Sequence, residues 1–599
     1  MHPQGNRGMT ATARPDSSTI PCEQPRCDRP AALSEHEASP ALLTSPAAGR
    51  SAYLAAASAC LPRWLRIVGP SPWLDGAHGQ PARNSPTVLY RTQAATLAIG
   101  GFVELEHPRA NDGYLRECVR TSLIRWQLSL RADGRPADQR ARRSPLTAAA
   151  AGYVVQLLSD AAGFQTRALL ADLTNHLAWL LRRDPTRPWL EASLIAAAAE
   201  GALLVRDASL LNHARTRLAG LLARQDEEGW FPERGGVDLG RLSLTVDALA
   251  RVFRHHGWPE LDDPLRRALR FLLACSRPDG GVGGDFGSWS ATYISPYGVE
   301  LLAPVHPEAT ALAARLRQKW AGVAAQRFAV SQDDLCAVLG ATLVLAAGCA
   351  SAKAAPATSI PQDTSRRINF PRAGLTIVRT DAYHAIVNAR QGGGLHVSWS
   401  NTQRCLDDAG ITVVFPSETR SSGRPDRRTR CFAAEASVTT IGILKKRRPV
   451  PPRLAWLRLL RRVFRRRPEH RTTRDAARIW EAIRDPRSGS PEESPARGGR
   501  GKRGPDLYKR EITFGPDWIR LRDEILCHNP CEAIVCQSPM PAGGGPALVD
   551  SIGPDLARPP LFVEGGCHVE VDRLYRQGRL IEKNVRSAPS RYCPPPTGH

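Results

Sequence analysis

Gln225–Phe253 reads QDEEGWFPERGGVDLGRLSLTVDALARVF, and Arg277–Leu302 reads RPDGGVGGDFGSWSATYISPYGVELL. Both stretches follow one plan: a helix, a glycine-rich loop loaded with acids and aromatics, then a new helix. Their landmark glycines, Gly229 and Gly280, stand 51 positions apart (280 − 229). A period of that length, flanked by further helices, marks an array of α-hairpins whose matching loops share one rim.

Outward from this pair the pattern stays helical. Helices are expected over roughly 146–159, 164–182, 188–204, 206–224, 238–256, 262–275, 296–303, 306–325 and 331–350. In the helix from Asp238, Leu239, Leu242, Val246, Leu249 and Phe253 fall on one face at helical spacing. Asp238 is the expected N-cap, because its carboxylate can accept from the unbonded N–H groups of the first turn. Pro264 and Pro296 mark two further helix starts. Such an array can stay open as a solenoid or close into an α/α toroid. The long glycine-rich connections at alternate junctions favour the toroid, with a cleft along one rim.

On the N-terminal side, residues 1–50 are rich in Pro, Ser, Ala and charge without periodicity and read as a disordered tail. From Ser51 to Trp126 only short helical pieces broken by Pro and Gly are expected, so the toroid, placed at 51–350, is expected to be incomplete. Residues 351–367 read as a linker. Beyond them the apolar period changes from helical to alternating, in GLTIVRT, HAIVNAR, LHVSWS, GITVVF and ASVTTIGIL. Alternation resumes in LYKREITFG, DWIRLRDEIL, EAIVC, LFVEGG and HVEVDRLYR. These are strands of an antiparallel β-sandwich over 368–585, with a basic insertion at 447–509 and a tail at 586–599. The expected class is therefore α+β multidomain, helical toroid first and sandwich second.

Composition sets the outer limits. A chain of 599 residues exceeds one compact core. Mean hydropathy of −0.31 and the lack of about 18 uninterrupted apolar residues speak against a spanning helix; the apolar run Leu335–Ala350 reads as a buried helix. The net charge of +23 is concentrated between Arg420 and Arg510. It points to acidic partners: an anionic polysaccharide, or a membrane surface touched by the insertion, where Trp456, Leu459, Leu460 and Val463 stripe a basic helix. Nucleic acid is not expected, since aromatics do not interleave with the basic residues. The alternative is a merely solvated basic face. The 14 cysteines show no framework spacing, which fits reduced thiols. Neither the Cys22–Cys27 pair nor CHNPCEAIVC (Cys527, His528, Cys531, Cys536), with Cys567 and His568 later, has zinc-site spacing, so no metal and no cofactor are expected. The first fifty residues lack a basic segment followed by an apolar one, so a cytoplasmic location is expected.

Several blocks then carry a resemblance: GWFPERGGVDLGRLSLTVDALA, PDGGVGGDFGS with TYISPYGVELL, INFPRAGLTIVRT, and LYKREITFGPDWIRLRDEI. Over residues 150–582 the chain resembles the heparinase II/III-like proteins, which join an α/α toroid to a C-terminal β-sandwich. Active relatives are polysaccharide lyases acting on uronate-containing chains, and others look like proteins of bacterial surface-polysaccharide pathways. The resemblance implies β-elimination. A base must remove the proton beside a uronate carboxylate, an acid must protonate the leaving glycosidic oxygen, and the carboxylate must be neutralised.

The search for those roles settles on the toroid rim. Asn175 and His176, in LADLTNHLAWL, look like the family's Asn–His pair; the alternative is a polar helix face beside a loop. Arg241 and Tyr293 complete the candidate catalytic set. Trp230, Glu233, Arg234, Asp238, Asp285, Trp289 and Tyr297 are the candidate substrate-binding residues, with structural packing as the bland alternative for the aromatics. Where active lyases carry a Tyr–His pair, this chain has GRLSLT, with neither. Three functions therefore compete. The first is a lyase on an acidic, uronate-containing polysaccharide. The second is a catalytically degenerate glycan-binding protein. The third is a terpene-cyclase-like toroid, suggested by QDEEGW, which requires a deep apolar central cavity.

Overall fold

In a computed structural model the helices and strands fall where the two periodicities place them. The structure describes residues 46–68, 86–105, 113–183, 187–233, 236–277, 280–282, 294–321 and 333–350 of the helical part. Of the strand part it describes 366–446 and 506–588, apart from 401, 403–404, 409, 416–417, 424–428, 528–530, 532, 537–560 and 565–567. The basic helix 454–463 and most of the insertion, 447–505, lie outside the described residues, as do His528 and Cys567.

Thirteen α-helices precede the first strand among the described residues: α1 (Pro46–Val68), α2 (Pro86–Glu104), α3 (Gly113–Leu128), α4 (Gln139–Arg143), α5 (Leu146–Asp160), α6 (Arg167–Leu181), α7 (Pro188–Val205), α8 (Ala208–Leu222), α9 (Leu239–His256), α10 (Asp262–Cys275), α11 (Tyr297–Leu302), α12 (Pro307–Ala321) and α13 (Asp333–Cys349). Apart from the short α4 they alternate between two rings. Helices α2, α5, α7, α9, α11 and α13 each pack on the next, and α13 returns to α2. Outside them lie α1, α3, α6, α8, α10 and α12. The ring expected to be incomplete is thus closed, because Ser51–Trp126 forms three long helices instead of short pieces. Pro62 is accommodated inside α1. Gly100 and Gly101, which read as breakers, are the points where α2 closes on its neighbours: a Cβ would stand 2.2 Å from Leu157 of α5 and 2.9 Å from Val344 of α13.

Inner helices are small-residue and apolar all round, as burial between two layers requires. In α7, PWLEASLIAAAAEGALLV, nearly every residue to Ala202 is buried. It is long and apolar enough to cross a membrane by length and composition, yet its place is the inner ring. Buried ion pairs tie the rings around the circumference. Arg251 of α9 donates to Glu200 of α7 (Nε–Oε1 2.8 Å) and to Gln156 of α5 (2.8 Å). Arg317 of α12 donates to Glu300 of α11 (2.8 Å), which also accepts from Tyr53 of α1 (2.8 Å).

The hairpin period has a local cause. In Arg131–Arg135, Asp226–Trp230 and Arg277–Gly281 the first N–H donates to the fifth carbonyl at 2.8 Å. In each, the fourth residue, a glycine, donates back to the first carbonyl at 2.9–3.0 Å. Gly134, Gly229 and Gly280 hold φ of +77°, +98° and +72°. Each rests on the backbone of the following outer helix: a Cβ would lie 2.3, 2.3 and 2.0 Å from the carbonyl oxygens of Asn175, Arg267 and Arg315. One glycine turn, used three times, sets the loops on the rim.

The strands form three antiparallel sheets. The first is β1 (Arg366–Phe370), β2 (Leu375–Arg379), β3 (Tyr383–Asn388), β4 (Gly394–Trp399) and β5 (Cys405–Asp408), in that order. The next contains β6 (Ile411–Val414), β7 (Thr419–Ser421), β10 (Lys445–Lys446), β13 (Ala533–Cys536) and β14 (Leu561–Glu564), ordered 10-7-6-13-14. The third contains β8 (Arg430–Ala433), β9 (Ser437–Ile443), β11 (Leu507–Phe514), β12 (Trp518–Leu526), β15 (His568–Arg576) and β16 (Arg579–Ala588), ordered 16-15-12-11-9-8. This six-stranded sheet covers both others, through one core around Tyr383, Val397, Ile512 and Tyr575 and another around Ile411, Tyr508, Ile534 and Val569. The opposite face of the first sheet meets the toroid: Leu375, Ile377 and Ile386 belong to the helical core, and Phe370 packs edge-on against Phe271 at 4.7 Å.

Candidate functional site

The seam between the toroid rim and the first sheet is where loop chemistry and strand chemistry meet. Its clasp is Glu228, in the second glycine turn. One carboxylate oxygen accepts the Arg372 N–H at 2.7 Å; the other accepts the Ala373 N–H at 2.8 Å and the Trp230 indole N–H at 3.0 Å. Arg372 pairs in turn with Glu227 at 3.0 Å. Trp230 is 5% exposed, so its ring serves this clasp and offers no open face.

Beside it lies a cationic cluster. Arg315 of α12 and Arg379 of β2 converge on the Leu273 carbonyl at the C-terminal end of α10, at 3.1 and 3.2 Å. Unbonded carbonyls and the negative end of the helix dipole favour guanidinium groups there. Arg379 also donates to Ala274 O at 2.9 Å and Arg315 to Ser276 Oγ at 2.9 Å. Two residues on, Arg277 reaches across the seam to His396 of β4, Nη1 to Nε2 3.1 Å, and to Cys405 Sγ at 3.5 Å. A guanidinium can only donate, so the His396 Nε2 is the acceptor in this contact. His384 of β3 stands directly across from Arg379 in the β2–β3 register. It is 2% exposed, and neither ring nitrogen has a hydrogen-bond partner. Burial drives its pKa well below the usual histidine value, and the positive charges of Arg379, Arg315 and Arg277 push the same way. Burial, reinforced by Arg379, likewise lowers Arg315 to about 10.

The residues read from the sequence fall into separate groups. Asn175 and His176, on the outer helix α6, hold the first glycine turn: Asn175 Nδ2 donates to Ala132 O at 3.1 Å, and His176 Nδ1 meets Gly134 O at 2.6 Å. A carbonyl accepts, so the proton is on Nδ1. The buried Nε2 has no partner. The ring stacks on Trp179 at 5.5 Å and meets Trp126 edge-on at 5.6 Å, and burial pushes its pKa down to about 4. In the second turn Gln225 Nε2 does the same service for Gly229 O, at 3.1 Å.

Glu233, Asp238 and Arg241 form a second group at the start of α9. Asp238 caps the helix by accepting from Arg241 N at 3.1 Å, as expected. The Arg241 guanidinium lies 3.4 Å from Asp238 and 3.6 Å from Glu233, and all three side chains are buried. Glu233 also accepts from the Trp189 N–H at 3.3 Å, and burial raises its pKa. Tyr297 lies elsewhere again, lining a cavity of about 40 Å³ inside the inner ring with Asp247, Arg251, Gln156 and Tyr153. Arg234, Asp285, Trp289 and Tyr293 lie outside the described residues. Asn175 and His176 stand on α6 and Arg241 on α9, each group with its own partners. The seam residues Arg277, Arg315, Arg379, His384 and His396 were not singled out from the sequence. The signal was present in YHAIVN and GLHVSW: strict alternation puts His384 and Ile386 on one face, and His396 pairs with Ile386 in register.

No group of three or more metal-ligating side chains is found among the described residues. Cys527 and Cys531 are buried in the second sandwich core.

No family model and no curated protein matches the chain. Among solved structures it is similar to a chondroitin AC lyase of Streptomyces coelicolor A3, with 12% identity and a TM-score of 0.45 over 83% of this chain and 71% of that one. A xanthan lyase of Paenibacillus gives 9% identity and a TM-score of 0.46, over 92% of this chain and 57% of that one. A heparan sulfate lyase of Pedobacter heparinus gives 10% and 0.35, over 75% and 63%. This chain thus spans between about half and three quarters of the length of these lyases. At such scores the likeness decides nothing about a reaction, and the fold stands on the packing described above.

Proposed function

We propose that this chain is a heparinase II/III-like protein that takes an acidic, uronate-bearing polysaccharide at the seam and acts on it by β-elimination. The observation that carries the reading is the gathering of Arg277, Arg315 and Arg379 with His384 and His396 where a rim loop meets the first sheet. An arginine fork suits a carboxylate. In elimination the base takes the proton on the carbon beside the carboxylate, and that electron pair forms the ring double bond. The carbon–oxygen bond to the next sugar then breaks, and its oxygen is protonated. Arg277 is proposed to neutralise the carboxylate, which would free the His396 Nε2 lone pair to act as base. Tyr293, in the same rim loop, is proposed as the acid that protonates the leaving oxygen. Asn175, His176 and Arg241 are proposed to act at a distance, by holding the turn and the start of α9 that frame the cleft. A surface-polysaccharide setting, a cytoplasmic location and a membrane-touching insertion belong to the same proposal.

A central space of about 40 Å³ holds two or three waters, whereas ligand pockets for drug-sized molecules run to roughly 300–1,000 Å³, which disfavours an isoprenoid toroid. The buried state of His396, 3% exposed, favours the degenerate glycan-binding version as the second reading. Incubation with a panel of uronic-acid polysaccharides, followed at the absorbance of the unsaturated product, separates them. Product formed by the intact chain and lost at least about 100-fold in both His396→Ala and Arg277→Ala supports the lyase, a loss on the scale usual for a general base. Glycan binding without product in any case leaves the binding protein. Neither product nor binding would sink the proposal.

A further inference from the structure

We infer that His384 and Arg315 form a seat for an oxyanion, the carboxylate or sulfate-type group of an acidic sugar. The seat lies between β3 and the C-terminal end of α10. The inference rests on the proposed acidic-glycan reading for its ligand class but has its own observations. A histidine that is 2% exposed and has no partner on either nitrogen is a rare thing to bury, because each unsatisfied polar atom costs free energy that a ligand can return. Among the described residues, the guanidinium charges that act on it are those of Arg379 directly across on β2, Arg315 from α12 and Arg277 from the loop after α10. Arg315 makes its described hydrogen bonds to the Leu273 and Ser276 carbonyls and the Ser276 hydroxyl, with no carboxylate among them. Guanidinium groups beside an unpartnered imidazole, with no described carboxylate bonded to Arg315, are the complement of an oxyanion, not of a cation or an apolar chain. An arriving anion would let the neutral imidazole take up a proton from solvent and donate both its N–H groups. Binding is therefore coupled to proton uptake.

The probes are sodium sulfate, sodium glucuronate and glucose, titrated calorimetrically into the full-length protein in two buffers of different ionisation enthalpy at one pH. The expected result is saturable binding of sulfate, glucuronate or both, none of glucose, and a fractional proton taken up per anion bound. Which anion binds tells a sulfate seat from a carboxylate seat. In His384→Gln, proton uptake should vanish and affinity fall at least tenfold. Arg315→Gln should weaken binding similarly while leaving a residual proton uptake. Circular dichroism and thermal midpoints within a few degrees of the parent confirm that each variant is folded; if one is not, His384→Asn and Arg315→Lys replace it. Binding without proton uptake, binding unchanged by both substitutions, or no anion binding by the intact chain overturns the inference. Product formation in the lyase assay together with no anion binding would remove the seat alone. Anion binding with no lyase product would leave the seat standing and remove the reaction.

Discussion

At the residue scale, Asp247 is the most exposed to pH of the groups inside the toroid. It lies on the inner helix α9, 7% exposed, and accepts from the Ser295 hydroxyl and from the Gly298 N–H at 2.6 Å. It therefore ties the start of α11, and the end of the long rim loop, to the inner ring. Burial raises its pKa to about 7, only partly offset by those two hydrogen bonds. The sign follows from the linkage. An unfolded aspartate titrates near 4, so between about 4 and 7 the folded state holds a proton that the unfolded state has lost. The stabilisation is complete below about 4 and is lost as pH rises through about 7. The slope is at most about 1.4 kcal/mol per pH unit. Asp247→Asn keeps an acceptor oxygen and removes the titration. Its thermal midpoint should change less between pH 5 and 8 than that of the parent chain, in parallel calorimetric scans. Equal pH dependence in the two proteins would show that Asp247 is not the titrating group.

At the element scale, the glycine turns explain both what could be read and what could not. Gly229 and Gly280 were legible because each is followed by a well-marked helix start, Asp238 in one case and Pro296 in the other. The first turn, Arg131-Ala-Asp-Gly134-Arg135, went unread because only the five-residue α4 follows it directly, and the inner helix α5 starts without a side-chain cap. Asn175 and His176, read as resembling the family's Asn–His pair, grip that turn through their described contacts. Strands with strict alternation were read almost residue for residue. Strand β16, RLIEKNVRSA, was missed because much of an outer strand faces water and so carries no apolar period. The seam cluster was illegible for a different reason: its members come from the loop after α10, from α12 and from β2, β3 and β4, and only packing brings them together. The turns also make a direct prediction. Gly229→Ala or Gly280→Ala would drive a methyl group into the Arg267 or Arg315 carbonyl and hold a left-handed φ with a side chain. Each should cost about 2–4 kcal/mol, read as a fall in the urea midpoint at unchanged slope. Gly257→Ala is the control, since it also has positive φ (+62°) but nothing within 4 Å of its Cβ; it should cost about 1 kcal/mol.

At the scale of the whole molecule, one apolar core runs from the toroid into the first sheet, while the sandwich interior is split in two by charge. Arg510 of β11 and Asp523 of β12 face each other in register, and Arg573 of β15 and Asp408 of β5 complete a four-residue box with all side chains fully buried. Asp408 sits where the chain leaves the first sheet for the next, with Arg510 at 2.7 Å and Arg573 at 2.8 Å. The box thus joins the first sheet to the six-stranded sheet at the point where the two apolar cores meet. Burial alone would raise the Asp408 pKa, but the two guanidinium charges outweigh it and hold the carboxyl down at about 2. Breaking a buried pair strands charge in a dry interior, so Asp408→Asn should cost about 3–5 kcal/mol at pH 7. Because the folded pKa is depressed, this contribution is present above about pH 4 and is lost as pH falls toward 2. Urea unfolding of the parent chain and of Asp408→Asn at pH 7, 5, 4 and 3 should therefore give midpoints that are well separated at pH 7 and 5 and converge at the acid end. A constant separation at every pH would place the loss in packing at Asp408 instead of in its charge. No separation at pH 7 would mean that the two arginines are satisfied by Asp523 alone.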